Sequence, residues 1–155
     1  MSRLSFALLV SSSITFLLGG FADSNAASTN DPRDHKGRAF RDADVKGAYA
    51  FSFDGVLIAA GPVAATGVVI ADGNGNITSA VRTLNFNGAV VRQTFTCTYS
   101  VNPNGTGSAE CPVDDPLEGA PAVETFDFVL EDNARAFRLL GTTAGFTVLG
   151  SGAKQ

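Results

Sequence analysis

The stretch FTCTYSVNPNGTGSAECP, residues 95–112, contains both cysteines of the chain, one on each side of a cluster of Asn, Pro and Gly. Such a cluster between two alternating runs is typical of a β-hairpin turn. A register that pairs Val101 with Gly107 also pairs Cys97 with Cys111, because antiparallel partners step away symmetrically from the turn. Side chains directly opposed in this way are close enough to form a disulfide. The stretch therefore predicts a hairpin closed by a disulfide.

Catalytic and metal-binding roles fit the two cysteines less well. A redox or nucleophilic role needs a C-x-x-C spacing or a positioned histidine, and the only histidine, His35, lies in a charged segment. A metal site needs more ligands than two sulfurs at this spacing. Closing a loop of about fifteen residues adds on the order of 3 kcal/mol of stability in the chain-entropy model. We therefore predict a stabilising disulfide.

The amino terminus has the pattern of a secretory signal peptide over residues 1–26. A basic residue, Arg3, precedes an apolar run at residues 4–21, and small residues at Ser24 and Ala26 form a cleavage pattern. A membrane anchor is the weaker alternative, because Ser and Thr dilute the run and no basic cluster follows it at once. We predict a mature protein that is secreted or periplasmic, where disulfides persist.

The composition indicates one globular domain. The chain has 155 residues, of which 45% are hydrophobic and 17% are charged, which is enough for one core. Its formal charge is −4, and it has no Lys/Arg cluster to displace the counterions of a phosphate backbone. The seventeen glycines and twelve phenylalanines favour short strands and tight turns. Nucleic acid is therefore not an expected partner.

Alternating runs separated by turn residues predict eight strands. Short turns such as Asn87-Gly88 imply antiparallel pairing in chain order, and eight such strands can close into an up-and-down barrel without exposed edges. An open sandwich is the alternative. We expect residues 27–44 to form a flexible charged tail and residues 45–155 to form the barrel domain. The predicted strands cover residues 47–54, 63–71, 76–86, 89–101, 106–112, 122–130, 135–142 and 145–154.

The turn positions also predict which residues face the interior. A turn at Asn87-Gly88 pairs Arg82 with Gln93, and a turn at Asp132-Asn133 pairs Phe128 with Phe137. The cysteines are predicted to share the interior layer with the following residues: Tyr49, Phe51, Phe53, Leu84, Phe86, Val91, Phe95, Tyr99, Phe126, Phe128, Phe137 and Leu139.

Arg82 and Gln93 are polar residues on this apolar face. A buried guanidinium is costly without a partner, and Glu124 on the face of Phe126 is a candidate for that role. Three interpretations remain open: a bulge that turns Arg82 outward, a structural Arg/Glu pair inside a filled barrel, or a pocket whose polar groups orient a ligand with a carboxylate or carbonyl.

Other motifs do not predict a site. The turn at residues 72–76 lacks the Gly and Glu of a calcium loop, so we interpret it as a hairpin turn. The sequences at 76–78 and 104–106 fit a glycan acceptor if the host glycosylates. Acidic residues at 114, 115 and 118 are expected to form a solvated rim. A metal site at His35 with its neighbouring aspartates is less expected than a disordered tail, and we predict neither metal nor cofactor.

Two resemblances rest on these segments. The order GAYAFSFDG, ADGNGNITS, YSVNPNGTGS, FDFVL and GSGAKQ resembles small secreted bacterial proteins of unassigned role. The eight-stranded plan resembles calycin-type barrels, that is, lipocalins and allene oxide cyclase-like proteins. Residues 47–49 (GAY) stand where a lipocalin has G-x-W, with Tyr in place of Trp and without a T-D-Y motif. The resemblance implies ligand binding, and it implies that Arg138 packs on Tyr49.

The expected function is therefore binding of a small apolar ligand inside the barrel. A barrel cyclase or isomerase that uses Glu124 or Arg82 is one alternative, and a structural or surface-interaction protein with a filled barrel is another. The sequence does not indicate the oligomeric state. The predicted ligand-binding residues are Tyr49, Arg82, Gln93, Phe95, Tyr99, Glu124 and Phe128.

Overall fold

The computed structural model of the chain describes residues 38–114 and 120–155. Eight antiparallel strands follow one another in chain order, and the last strand pairs with the first to close a barrel. The predicted up-and-down barrel is confirmed, and the open sandwich is not formed. The strands are β1 (Lys46–Leu57), β2 (Gly61–Asp72), β3 (Asn76–Phe86), β4 (Ala89–Val101), β5 (Thr106–Asp114), β6 (Pro121–Glu131), β7 (Ala136–Gly141) and β8 (Phe146–Lys154).

Alternation along each strand separates the interior from the surface. In β1 the aromatic side chains of Tyr49, Phe51 and Phe53 are buried, whereas Ser52 and Asp54 between and beyond them are exposed. The pattern follows from the two-residue period of a strand, which sends successive side chains to opposite faces. A barrel has one enclosed face, so each strand contributes one alternating set of apolar residues to it.

The registers predicted from the β3–β4 and β4–β5 turns are confirmed. Arg82 lies opposite Gln93, and Val101 lies opposite Gly107. A bulge in β3 shifts the register between Ile77 and Ala80. The bulge adds one residue to β3. Ile77 and Ala80 therefore both face the interior although they are three residues apart.

The register predicted for β6 and β7 is wrong by two residues. Phe128 lies opposite Leu139, and Phe137 lies opposite Leu130. The reason is the connection, which is a turn over Asp132–Ala134 with three successive positive φ angles of 48°, 54° and 64°. The prediction assumed a shorter two-residue turn. A shift of two residues leaves every side chain on its original face, so the predicted interior set of these strands is preserved.

One end of the barrel, where β1 begins, is covered by residues 38–45, here called the cap segment. A 3-10 helix, Asp42–Asp44, lies in its centre. The carboxylate of Asp42 accepts a hydrogen bond of 2.7 Å from the backbone N–H of Val101, and the N–H of Phe40 donates to a carbonyl of the β4–β5 turn at 3.1 Å. Residues 38–44 of this segment belong to the predicted flexible tail, and residues 27–37 of that tail lie outside the described residues.

The half of the barrel away from the cap segment is filled by apolar side chains. Leu84 lies opposite Val91 in this half, and Val63 lies opposite Phe86. Leu84 and Val63 are almost completely buried. The tightly packed half therefore leaves the interior under the cap segment as the place to examine for a ligand site. The buried residues of the filled half are Val63, Ala65, Leu84, Phe86, Val113 and Val148.

Candidate functional site: an aromatic cavity inside the barrel

A cavity of about 100 Å³ lies inside the barrel between Arg82 and the cap segment. Its exposed wall is apolar, and Val45 of the cap segment forms part of it. An engineered apolar cavity of about 150 Å³ in another protein stays dry and binds benzene, so this cavity is of the same order but smaller. Eight aromatic side chains line it: Tyr49, Phe51, Phe53, Phe95, Tyr99, Phe126, Phe128 and Phe137.

Inward-facing glycines explain why so many rings leave an open centre. Phe128 lies directly opposite Gly107 in the ladder, and Phe137 lies directly opposite Gly152. A Cβ atom at Gly107 would stand 2.3 Å from Cζ of Phe128, and one at Gly152 would stand 2.4 Å from Cζ of Phe137. The rings therefore occupy the volume that side chains would fill at these glycines. They lie along the wall, and the centre of the capped half stays open.

Arg82 is directed into the barrel and forms the floor of the cavity. Its side chain is 1% exposed. Nη1 and Nη2 donate to the two carboxylate oxygens of Glu124 at 2.5 and 2.7 Å, while Nε and Nη2 donate to the amide oxygen of Gln93 at 2.9 and 2.7 Å. The guanidinium carbon lies 4.8 Å from the centre of the Phe95 ring. The positive charge is therefore compensated by a paired carboxylate and a ring face.

This arrangement excludes one of the three interpretations of Arg82. The outward-turning bulge is wrong, because the bulge of β3 lies between Ile77 and Ala80 and Arg82 faces inward. The internal pair with Glu124 is formed. Gln93 completes the network, since its amide nitrogen donates to the backbone carbonyl of Asp114 at 2.6 Å.

Two tyrosine hydroxyls connect the cavity wall to the structures that cover the capped end. The hydroxyl of Tyr49 donates to the carbonyl of Ala134 in the β6–β7 turn at 2.7 Å. The hydroxyl of Tyr99 donates to the carbonyl of Val45 at 2.7 Å and lies 3.1 Å from that of Asp42. Burial raises the pKa of both tyrosines above its ordinary value. Both phenols are therefore neutral donors at physiological pH.

The disulfide is part of the same wall. Cys97 and Cys111 are bonded as predicted, and both are buried and line the cavity. The bond joins β4 to β5 at the level of Glu124, which lies opposite Cys111 in the ladder. It therefore fixes β4, which carries Phe95 and Tyr99, to β5, which pairs with the strand that carries Glu124.

The structure brings the seven predicted ligand-binding residues together but separates them into two groups. Tyr49, Arg82, Phe95, Tyr99 and Phe128 line the cavity. The other two, Gln93 and Glu124, hold the guanidinium of Arg82 through its hydrogen bonds. Gln93 and Glu124 do not line the cavity, and they affect its shape only by holding the side chain of Arg82 in place.

The packing of Arg138 on Tyr49, implied by the resemblance to lipocalins, is not formed. Arg138 lies between the inward-facing Phe137 and Leu139, so its own side chain points outward, where it pairs with Glu131 at 2.8 Å. The cation nearest to the Tyr49 ring belongs to a different strand. It is Nζ of Lys154, 5.9 Å from the ring centre.

Several wall residues could not be placed by the sequence analysis. Val45 belongs to a segment without periodicity, and Ile77 reaches the cavity because of the β3 bulge. Val69 and Ala71 alternate on β2, where turn-derived registers had not been worked out. The sequence signal that could have indicated an open interior is the pairing of Phe with Gly across the ladder.

The turn after β2 does not form a cation site. Asp72 accepts hydrogen bonds from the backbone N–H groups of Asn74 and Asn76 at 2.7 and 3.1 Å, and from the side-chain amide of Asn76 at 2.9 Å. The side-chain hydrogen bond from Asn76, followed by the backbone bond from Asn74, lowers the pKa of Asp72. Within residues 38–114 and 120–155, no cluster of three His, Cys, Asp or Glu residues could hold a metal ion.

Comparison of the chain with family models, curated proteins and solved structures finds no match. No helix in the described part of the chain is long and apolar enough to cross a membrane.

Proposed function

We propose that the protein binds a small, neutral, apolar ligand in the barrel interior and acts outside the cytoplasm. The observation that carries this proposal is the open, aromatic-lined volume of about 100 Å³ next to a half of the same barrel that is packed with buried apolar side chains. A packed interior normally leaves few voids larger than a water molecule. An apolar void gains dispersion contacts when an apolar molecule enters it.

The floor of the cavity supports a neutral ligand. Arg82 was considered as an anchor for a carboxylate, but its charge is already paired with Glu124 and its Nε and Nη2 groups donate to Gln93. A second anion there would have to displace a buried carboxylate that is held by two hydrogen bonds. The tyrosine hydroxyls at the other end donate to backbone carbonyls, which leaves ring faces and edges as the main contact surface.

The same geometry supports binding over a cyclase or isomerase. Acid–base catalysis by Glu124 would need its carboxylate within hydrogen-bonding reach of the substrate. Both oxygens of Glu124 accept hydrogen bonds from Arg82, and the carboxylate does not belong to the cavity wall. A substrate in the cavity would therefore contact apolar surface, which includes the Phe95 ring and the disulfide, and no carboxylate.

A structural protein with a filled barrel is the second candidate. The observation that favours it is that, among the described residues, every buried polar side-chain atom has a hydrogen-bond partner. Such an interior does not require a ligand for its own polar satisfaction. Under this candidate the cavity would be a packing defect, and the Thr-rich outer face of β4 would carry the function.

The disulfide and the predicted signal peptide over residues 1–26 together support an extracytoplasmic site. A disulfide persists where the redox potential is oxidising, in the periplasm or outside the cell. The signal peptide lies outside the described residues, so the support from the structure comes from Cys97 and Cys111 alone. In this setting a closed, calycin-like barrel can carry an apolar compound through water, which is the function that the resemblance implies.

Thermal unfolding of the oxidised protein with benzene as a probe tests the proposal. At ten times the dissociation constant the ligand stabilises the folded state by about 1.4 kcal/mol, which is an increase in Tm of roughly 5 °C for a domain of this size. Ala109→Leu is the matched control, because Ala109 lines the cavity and a larger side chain would occupy it. Benzene should then stabilise the wild type and have no effect on the variant.

Two results decide between the candidates. A Tm that does not respond to benzene or to other small apolar probes would overturn the binding proposal and leave the structural protein. Native mass spectrometry of protein purified from its own host supplies the natural ligand directly. An added mass that disappears in the Ala109→Leu variant would support binding in this cavity.

A further inference from the structure

Five interior phenylalanines lie opposite a glycine in the ladder, and in three of these pairs the phenylalanine ring lies over the glycine. These three pairs are Phe51 with Gly67, Phe128 with Gly107, and Phe137 with Gly152. In each pair, a Cβ atom built at the glycine would lie less than 3.0 Å from a ring carbon of the phenylalanine. Each ring is therefore positioned by the missing side chain of its partner.

Two of these pairs differ from the third in how firmly the ring is held. Phe51 is buried and stacks on Phe53 with a distance of 6.3 Å between ring centres, so it is part of the packed core. Phe128 and Phe137 are only partly buried and lie nearer the capped end. These two rings are the part of the cavity wall that can be shortened by substitution without changing the packed core.

We propose that Phe128 and Phe137, held against the wall by Gly107 and Gly152, determine the size of the ligand and restrict it to molecules no larger than a single six-membered ring. This inference rests on the proposed function. Its basis is that the ring positions define the open volume of about 100 Å³. Displacing either ring toward the centre would fill this volume, and truncating either ring would extend it toward the barrel wall.

The restriction follows from the comparison of volumes. A cavity of about 150 Å³ accepts benzene, and the present one is smaller, so it has no space for a second fused ring. The glycines cannot compensate, because their backbone lies close to neighbouring carbonyls: a Cβ at Gly107 would also stand 2.4 Å from the carbonyl oxygen of Ser100. The phenylalanines are therefore the positions at which ligand size can change.

The experiment compares benzene and indole as probes, using calorimetry on the full oxidised protein. The wild type is expected to bind benzene and not indole. Phe128→Leu keeps an apolar side chain but removes the outer part of the ring, so that affinity for indole should rise by about tenfold or more. Phe137→Leu, with Gly152 as its partner, is the second variant and should behave in the same way.

Phe86→Leu is the matched control. Phe86 is buried in the filled half and does not line the cavity, so this substitution should lower Tm without admitting indole. A merely structural role of Phe128 would give the same result as the control: lower Tm and no change in probe selection.

The outcomes separate this inference from the proposal on which it depends. If the wild type binds benzene but neither Leu variant gains affinity for indole, the size determinant is overturned and the proposed function stands. If the wild type already binds indole as tightly as benzene, the size limit is overturned. If the wild type binds no probe, the proposed function fails and this inference fails with it.

Discussion

Removal of the Glu124 carboxylate by Glu124→Ala is expected to cost about 3–5 kcal/mol of the free energy of unfolding. The side chain of Arg82 is 1% exposed, and that of Glu124 is 12% exposed. The variant therefore leaves a buried guanidinium with the amide oxygen of Gln93 as its remaining hydrogen-bonding partner. An uncompensated buried charge accounts for most of the expected loss, because water cannot readily replace the carboxylate.

A double variant distinguishes the cost of the orphaned charge from the net contribution of the pair. Arg82→Met combined with Glu124→Leu removes both charges and keeps apolar volume, so stability should return to near the wild-type value or exceed it. The exposed pair of Glu131 and Arg138 is the control, and Glu131→Ala should cost less than about 1 kcal/mol. In guanidinium chloride titrations followed by circular dichroism, only Glu124→Ala should show a large loss.

Thermal unfolding offers a second reading of the same prediction. A loss of about 3–5 kcal/mol lowers Tm by roughly 12–20 °C in a domain of this size. A cost below about 1 kcal/mol for Glu124→Ala would refute the claim that the pair is desolvated. A double variant as unstable as the single one would show that the packing of these side chains, and not the charge, carries the effect.

Three further outcomes follow from other contacts. Replacing Cys97 and Cys111 by Ala should cost about 3 kcal/mol, because the unfolded chain regains the freedom of a loop of this length; a loss below about 1 kcal/mol in denaturant titration would contradict this. The raised pKa of Tyr49 and Tyr99 means that the unfolded chain loses these protons first. Their contribution to stability is complete below pH about 10 and is lost as pH rises through the folded-state values. Phenolate absorbance with a midpoint at or below pH 10 in folded protein would be inconsistent with their burial. Asp42→Ala removes the acceptor of a backbone N–H at the end of β4, and should cost about 1 kcal/mol and accelerate hydrogen exchange there; unchanged exchange would show that the cap segment is held by other contacts.

The barrel could be predicted from the sequence because strand alternation and turn residues are visible in short stretches of the chain. Alternation defines the strands, and the turn at Asn87-Gly88 and the disulfide between Cys97 and Cys111 each fix one register. Once two registers are known, the two-residue period determines the inward face along both strands. The interior position of Arg82 and its pairing with Gln93 therefore follow from the sequence.

The β6–β7 turn could not be predicted because its conformation depends on a distant contact. Ala134 has a φ of 64°, a left-handed value that an alanine rarely adopts. Its carbonyl accepts the hydroxyl of Tyr49, which lies 85 residues away in the sequence. A tertiary hydrogen bond can stabilise a locally unfavourable backbone, and no short sequence pattern reports it.

The candidate site was predictable in its residues but not in its volume. The inward positions of Tyr49, Phe95 and Tyr99 follow from strand alternation. Whether the centre is open depends on the side-chain directions of Phe128 and Phe137, and these depend on which residues lie opposite. The two-residue error in the β6–β7 register did not affect their face, but the glycine partners on β5 and β8 came from pairings that the turns alone did not supply.

The pairing of β1 with β8 sets a condition on biogenesis. Tyr49 meets Lys154 at one end of this pair and Leu57 meets Phe146 at the other, so the seam joins the first strand to residues synthesised about a hundred positions later. Until β8 has been synthesised, the edges of β1 and β7 that it pairs with have no partner in their own chain, and unpaired strand edges are able to pair with neighbouring chains. Two nascent copies could then exchange β8 and close each other's barrels, so that the yield of monomer depends on how quickly each chain completes its own seam.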